Sequence, residues 1–132
     1  MPPRIRRRRV GGTSWASREA DRLWSAIVRS AGACYLADRA GHVCAGPLQA
    51  AHGFSRRYRV TRWNLLNGFP LCAGAHVFYT HEPLGWDDLL REWWGAELYH
   101  TLRKGALSME KMDPRAILED LRSEAARLGL AA

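Results

Sequence analysis

Three polar residues placed in order along the middle of the chain, His52, Asn67 and His76, constrain its fold more than any other feature. They are 15 and then 9 positions apart. Each sits beside a short apolar run, in Leu48-Gln49-Ala50-Ala51-His52 and in Phe69-Pro70-Leu71-Cys72 followed by Gly74 to Thr80. The first two runs have strand length and the third has the length of a short helix. Two strands and a helix of this size bring His52 and His76 face to face, with Asn67 at the start of the second strand. Histidine near neutral pH can take a proton from water or hold a divalent metal, and an asparagine amide can fix the loop that orients a base.

The flanking segments read as helices. Ala20, Leu23, Trp24, Ile27, Val28 and Ala31 fall on one apolar stripe opposite Arg18, Arg22 and Arg29, which predicts a helix over 17–31 capped by Ser14 or Ser17 and stopped by Gly32. Trp86, Leu89, Leu90, Trp93 and Trp94 repeat the pattern until Gly95, and Leu98, Tyr99 and Leu102 suggest a further short helix. Asp113 and Pro114 start a last helix whose apolar face is Ile117, Leu118, Leu121, Ala125 and Leu128, with Gly129 at its end. The tryptophans at helical spacing are expected in the core. Residues 32–47, rich in Gly, Ala and Cys, read as loops and short strands. With 132 residues and no internal repeat, the chain is expected to form a flexible basic arm over 1–12 and one domain over 13–132.

Charge is sorted by position. The net charge is +7, carried by 18 arginines and two lysines, Lys104 and Lys111. Residues 1–67 hold 13 Arg against three acids, a net of +10, whereas residues 68–132 hold seven Lys and Arg against ten acids, a net of −3. A GC-rich genome would account for an arginine bias but not for this division. A positive half facing a polyanion would, and arginine binds phosphate bidentately. The stretch from Arg56 to Trp63, with Arg57, Arg59 and Arg62, joins cations to aromatics. No apolar run approaches the ~20 residues that span a bilayer, and the basic start lacks the apolar core of a secretory signal. An intracellular protein is the expectation. Three cysteines in such a compartment argue for burial or metal binding over disulfides.

The combined string resembles the HNH endonucleases, the ββα-metal nucleases, and especially the small phage-type ones. Leu48-Gln49-x-x-His52-x-x-Ser55-Arg56, Arg62-Trp63-Asn64-x-x-Asn67 and Asn67-Gly-Phe-Pro70-Leu71-Cys72-x-x-x-His76 carry the likeness. It continues through His76-Val-Phe78-Tyr-Thr-His81-Glu-Pro83-Leu84 and Trp86 to the Gly95–Leu102 run, covering about residues 29–103.

The resemblance implies an α+β fold: a ββα-metal (HNH) core with flanking N- and C-terminal helices. It implies metal-dependent hydrolysis of DNA phosphodiester bonds, leaving 5′-phosphate and 3′-hydroxyl ends. His52 would be the general base and Asn67 its orienting residue. His76 would be the metal ligand, with a second ligand at Thr80 or His81. Arg56 would contact phosphate. Mg²⁺, Mn²⁺, Ni²⁺ or Zn²⁺ would suit such a site. DNA is the expected partner, and phage terminase with host-cytoplasmic genome packaging is the biological setting the likeness suggests.

Two departures stand out. Ala51 occupies the position where many of these enzymes carry an Asp or His ligand, leaving Gln49 or water to fill it. Ala75 stands where a structural zinc cysteine is expected. Cys34, Cys44, Cys72 and His42 would still make a Cys₃His zinc set, although nine residues separate Cys34 from Cys44; burial of three small side chains is the other reading. Two further functions are compatible with these residues: a junction-processing nuclease, or a DNA-binding module on a degenerate nuclease scaffold.

Overall fold

The computed structural model describes residues 14–130, so the basic arm expected over 1–12 lies outside the described residues. Five α-helices and two strands follow in the order α1 (Trp15–Arg29), β1 (Leu48–His52), α2 (Arg59–Arg62), β2 (Gly68–Cys72), α3 (Ala73–Thr80), α4 (Pro83–Ala106) and α5 (Pro114–Arg127), with a 3₁₀ turn at Leu65–Asn67 before β2. The architecture is α+β.

β1 and β2 form an antiparallel pair in which Gln49 faces Leu71, Ala51 faces Phe69 and His52 faces Gly68. Pro70 is tolerated because a two-stranded sheet leaves an open edge; there its carbonyl accepts from Tyr35 N–H at 2.7 Å. Side chains alternate across the ribbon. Ala50 packs toward the α1–α5 cluster and His52 stacks on Trp24 of α1, while Ala51 and Leu71 pack with Ala75 of α3. Gly68 has no alternative residue: a Cβ there would lie 2.4 Å from Val28 and 2.9 Å from Trp24.

Ala20, Leu23, Trp24, Ile27 and Val28 of the α1 stripe are buried, and Leu118, Leu121 and Ala125 of α5 close over them; Ala31 is exposed beyond the helix, which ends at Arg29 rather than at 31. Ser14 caps α1, accepting from Ser17 N–H at 3.2 Å, and the helix therefore begins two residues before the expected position 17. Asp113 caps α5 by accepting from Arg115 N–H at 3.0 Å. On the opposite face of the ribbon, Phe69, Leu90 and Tyr99 are buried among Phe54, Trp86, Trp93 and Trp94. Gly95 interrupts α4 with φ 75° and ψ 165°, so the expected break falls there as a kink between two helical stretches.

Candidate functional site

His52 ends β1 and is held from two sides. Its ring lies on the Trp24 indole with centroids 3.9 Å apart and planes 12° from parallel. Its Nε2 is 3.0 Å from the Arg62 carbonyl oxygen. A carbonyl can only accept, so Nε2 carries the proton and Nδ1 keeps its lone pair. No buried side-chain nitrogen lacks a partner among the described residues, so the unbonded Nδ1 retains contact with solvent. Burial pulls the His52 pKa down to about 4; the Arg62 carbonyl and the Asp21 carboxylate oppose this, and the charges of Arg56 and Arg62 reinforce it. At neutral pH His52 is an uncharged base.

Asn67 is fully buried, and its side-chain hydrogen bonds go to Phe54 and Thr61 rather than to His52. It fixes the loop that follows it. Phe54 N–H donates to Asn67 Oδ1 at 2.7 Å, and Asn67 Nδ2 donates to the carbonyls of Phe54 and Thr61 at 3.0 and 3.1 Å. Gly53 N–H donates to the Asn67 carbonyl at 2.8 Å. The Trp86 and Trp94 indoles donate to the carbonyls of Gly53 and Leu66, which ties the same loop to α4.

His76, carried by α3, lines a groove of about 480 Å³ together with His52, Ser55, Arg56, Thr80 and Asp87. Its Nδ1 is 2.8 Å from Gln49 Oε1. With Nδ1–H donating to this oxygen, Nε2 is left as a free lone pair of the kind a metal ion takes. Burial lowers the His76 pKa, which also favours the neutral ring. Gln49 is therefore engaged in orienting His76 and does not take the ligand position that Ala51 leaves vacant. Gln49 and His52 are three apart on a strand and so lie on opposite faces, a signal the sequence already carried.

Two of the sequence-derived assignments need correction. His81 is the exposed C-cap of α3 and does not line the groove; Thr80 does. At about 100° per residue, position 80 lies over His76 whereas position 81 is turned about 140° away. Thr80 Oγ1 itself donates to the His76 carbonyl at 2.7 Å. Arg62 is not a free phosphate-binding cation: its Nε and a terminal nitrogen donate to the two Asp21 oxygens at 3.0 and 2.6 Å. Arg56, Arg57 and Arg59 are exposed and form no ion pair among the described residues, and Arg56 lies on the rim of the groove.

A second centre lies at the start of α3. The sulfurs of Cys44, Cys72 and Cys34 are 3.4, 3.7 and 4.0 Å from His42 Nε2, and all four donor atoms lie within 4.8 Å of one another. A tetrahedral zinc with ordinary bond lengths separates sulfur from nitrogen by about 3.6 Å. The set fits a metal ion. Successive turns, with Ala37, Arg39 and His42 N–H donating to the carbonyls of Cys34, Leu36 and Arg39, fold residues 34–44 back on themselves and overcome the long cysteine spacing. Partial desolvation and the neighbouring thiols of Cys34 and Cys72 raise the Cys44 pKa to about 11. Burial opposes ionisation of Cys72, but backbone hydrogen bonds at Ala45 and Ala75 and contacts with His42 and Cys34 outweigh it and bring the thiol down to about 6. This is the only cluster of three or more His, Cys, Asp or Glu donors among the described residues.

No helix among the described residues is long and apolar enough to cross a membrane. Comparison with known protein families, with curated proteins and with solved structures finds no match for this chain.

Proposed function

We propose that this protein is a metal-dependent DNA endonuclease with an HNH-type ββα-metal core. The observation that carries the reading is the convergence of two oppositely prepared imidazoles on one groove. His52 has Nε2–H tied to a carbonyl and Nδ1 open, while His76 has Nδ1–H tied to Gln49 and Nε2 open. Neutral His52 Nδ1 takes the proton of the attacking water as it approaches phosphorus. Arg56 on the rim holds a non-bridging phosphate oxygen, and Asn67 keeps the 53–61 loop that carries this arginine in place.

His76 would hold the divalent cation, which supplies charge stabilisation to the phosphorane and the departing 3′ oxygen. His76 is the one imidazole with an unbonded nitrogen proposed as ligand, so substrate phosphate and water would have to supply most of the ion's remaining positions. Cys34, His42, Cys44 and Cys72 would hold a separate structural zinc. DNA is the proposed partner, with Arg57 and Arg59 extending the phosphate contacts beyond the groove.

Nicking of a supercoiled plasmid with Mg²⁺, Mn²⁺ or Zn²⁺ and with EDTA tests the reading. Metal-dependent nicking lost in both His52→Ala and His76→Ala is expected. A second reading, a DNA-binding module on a nuclease scaffold, is favoured by buried Ala51, which leaves His76 without a second protein ligand. Tight DNA binding in EDTA with no cutting under any metal would select it.

A further inference from the structure

We propose that Asp21 and Trp24 of helix α1 are positioning residues for His52, so that the working base depends on a helix outside the two strands and α3. The proposal rests on the nuclease reading for its catalytic meaning, but not for its geometry.

The His52 Nε2–H bond is only as fixed as the Arg62 carbonyl that accepts it. That carbonyl belongs to α2, a four-residue turn of helix whose N-terminus has no side-chain cap. A single turn is a poor platform by itself. Here α1 grips three consecutive residues around it. Asp21 accepts from both Arg62 donors at 3.0 and 2.6 Å, and its Oδ1 also accepts from Trp63 Nε1 at 2.8 Å. Trp24 Nε1 donates to the Asn64 carbonyl at 3.1 Å while its ring forms the face on which His52 rests. Asp21 and Trp24 are three apart, so they share one face of α1. One determines where the partner of Nε2 sits, and the other determines the plane in which the ring lies.

Packing alone does not explain Asp21. Its carboxylate is drawn in beside an Arg62 side chain only 13 % exposed, and an ion pair sheltered in this way loses hydration that an apolar contact would not. Both oxygens of the carboxylate bond residues that flank the Arg62 carbonyl. The charged groups that act on His52 are Asp21, Arg56 and Arg62. The clamp pairs one of the two arginines with the acid and leaves Arg56 free toward the groove.

The test uses the full chain and two conservative variants, Asp21→Asn and Trp24→Phe. Asn keeps the shape and one acceptor but loses the bidentate pairing; Phe keeps a ring under His52 but loses the donor to Asn64. Imidazole nitrogen shifts and exchange of the His52 Nε2 proton are followed by NMR, and nicking kinetics are measured beside them. In the wild type the Nε2–H tautomer is expected with a slowly exchanging proton. In Asp21→Asn that proton should exchange at least tenfold faster, and kcat should fall about tenfold with KM for DNA unchanged, as expected for a group that acts by orienting another. Trp24→Phe should shift the same two readouts in the same direction by less. An Nε2 proton equally protected in both variants overturns the proposal. If Asp21→Asn fails to fold, Trp24→Phe decides by the same criterion. If the wild type cuts no DNA, the nuclease reading falls, and the imidazole measurement still decides whether α1 positions His52.

Discussion

The two centres of this molecule are built to different degrees of completeness. The Cys34, His42, Cys44 and Cys72 cluster brings four donor atoms within 4.8 Å of one another, a set that could hold a metal ion. The groove lined by His52 and His76 presents one imidazole nitrogen from each that has no hydrogen-bond partner among the described residues. A complete donor set binds metal as part of folding; an incomplete one binds only when substrate supplies the rest. A four-donor set is the arrangement of a structural site, and under the nuclease reading proposed above the groove would be a site that keeps positions open for chemistry. Cys72 links them: it ends β2, offers a sulfur to the cluster and caps α3, accepting from Ala75 N–H at 3.4 Å, one turn before His76.

Loss of the cluster should produce the largest effect. Cys72→Ser is expected to abolish tight zinc binding and to lower stability by several kcal/mol, because ligand binding free energy is folding free energy; metal content and thermal unfolding read this directly. A variant that loses the metal with an unchanged Tm would break the contrast. His52→Ala should leave zinc content intact and reduce nicking by about 10²–10⁴-fold, the span of general-base catalysis. Equal losses of metal and activity in that variant would mean that the two centres are not separable.

Asn67→Ala should destabilise the fold by about 3 kcal/mol, since one buried donor and two carbonyls lose their partner, measured by denaturant unfolding. Arg56→Ala is expected to weaken DNA binding modestly and to reduce the salt-dependence slope by about one. A further effect concerns pH. His52 has a folded-state pKa of about 4 against about 6.5 unfolded. Below pH 6.5 the unfolded chain takes up a proton that the folded chain resists. This contribution is therefore complete above pH 6.5 and is lost as pH falls to 4. The difference between wild type and His52→Gln across that window isolates it, and the acid limb of the rate profile should lie well below 6.5.

Local patterns were legible where one element decides the outcome. The α1 and α5 stripes, the strand Leu48–His52 and the Asp113-Pro114 helix start all follow from periodicity and capping, which depend on near neighbours. His52 and His76 both line one groove, and both are carried by the expected strand and helix. The errors came from residues whose role is set by a distant partner. Arg62 read as a phosphate ligand because nothing within the 56–63 stretch reveals that Asp21, 41 positions earlier, claims its guanidinium. His81 differs from the groove-facing Thr80 by one residue, and only helix phase separates them.

The sequence by itself determined which side chains have the chemistry of a base, a metal ligand and a phosphate clamp, because those properties belong to residue types. The tertiary structure decided which nitrogen of each histidine is free, that Gln49 serves His76, and that cysteines ten positions apart share one centre with His42. Those outcomes depend on hydrogen-bond partners and donor separations that exist only after distant segments meet.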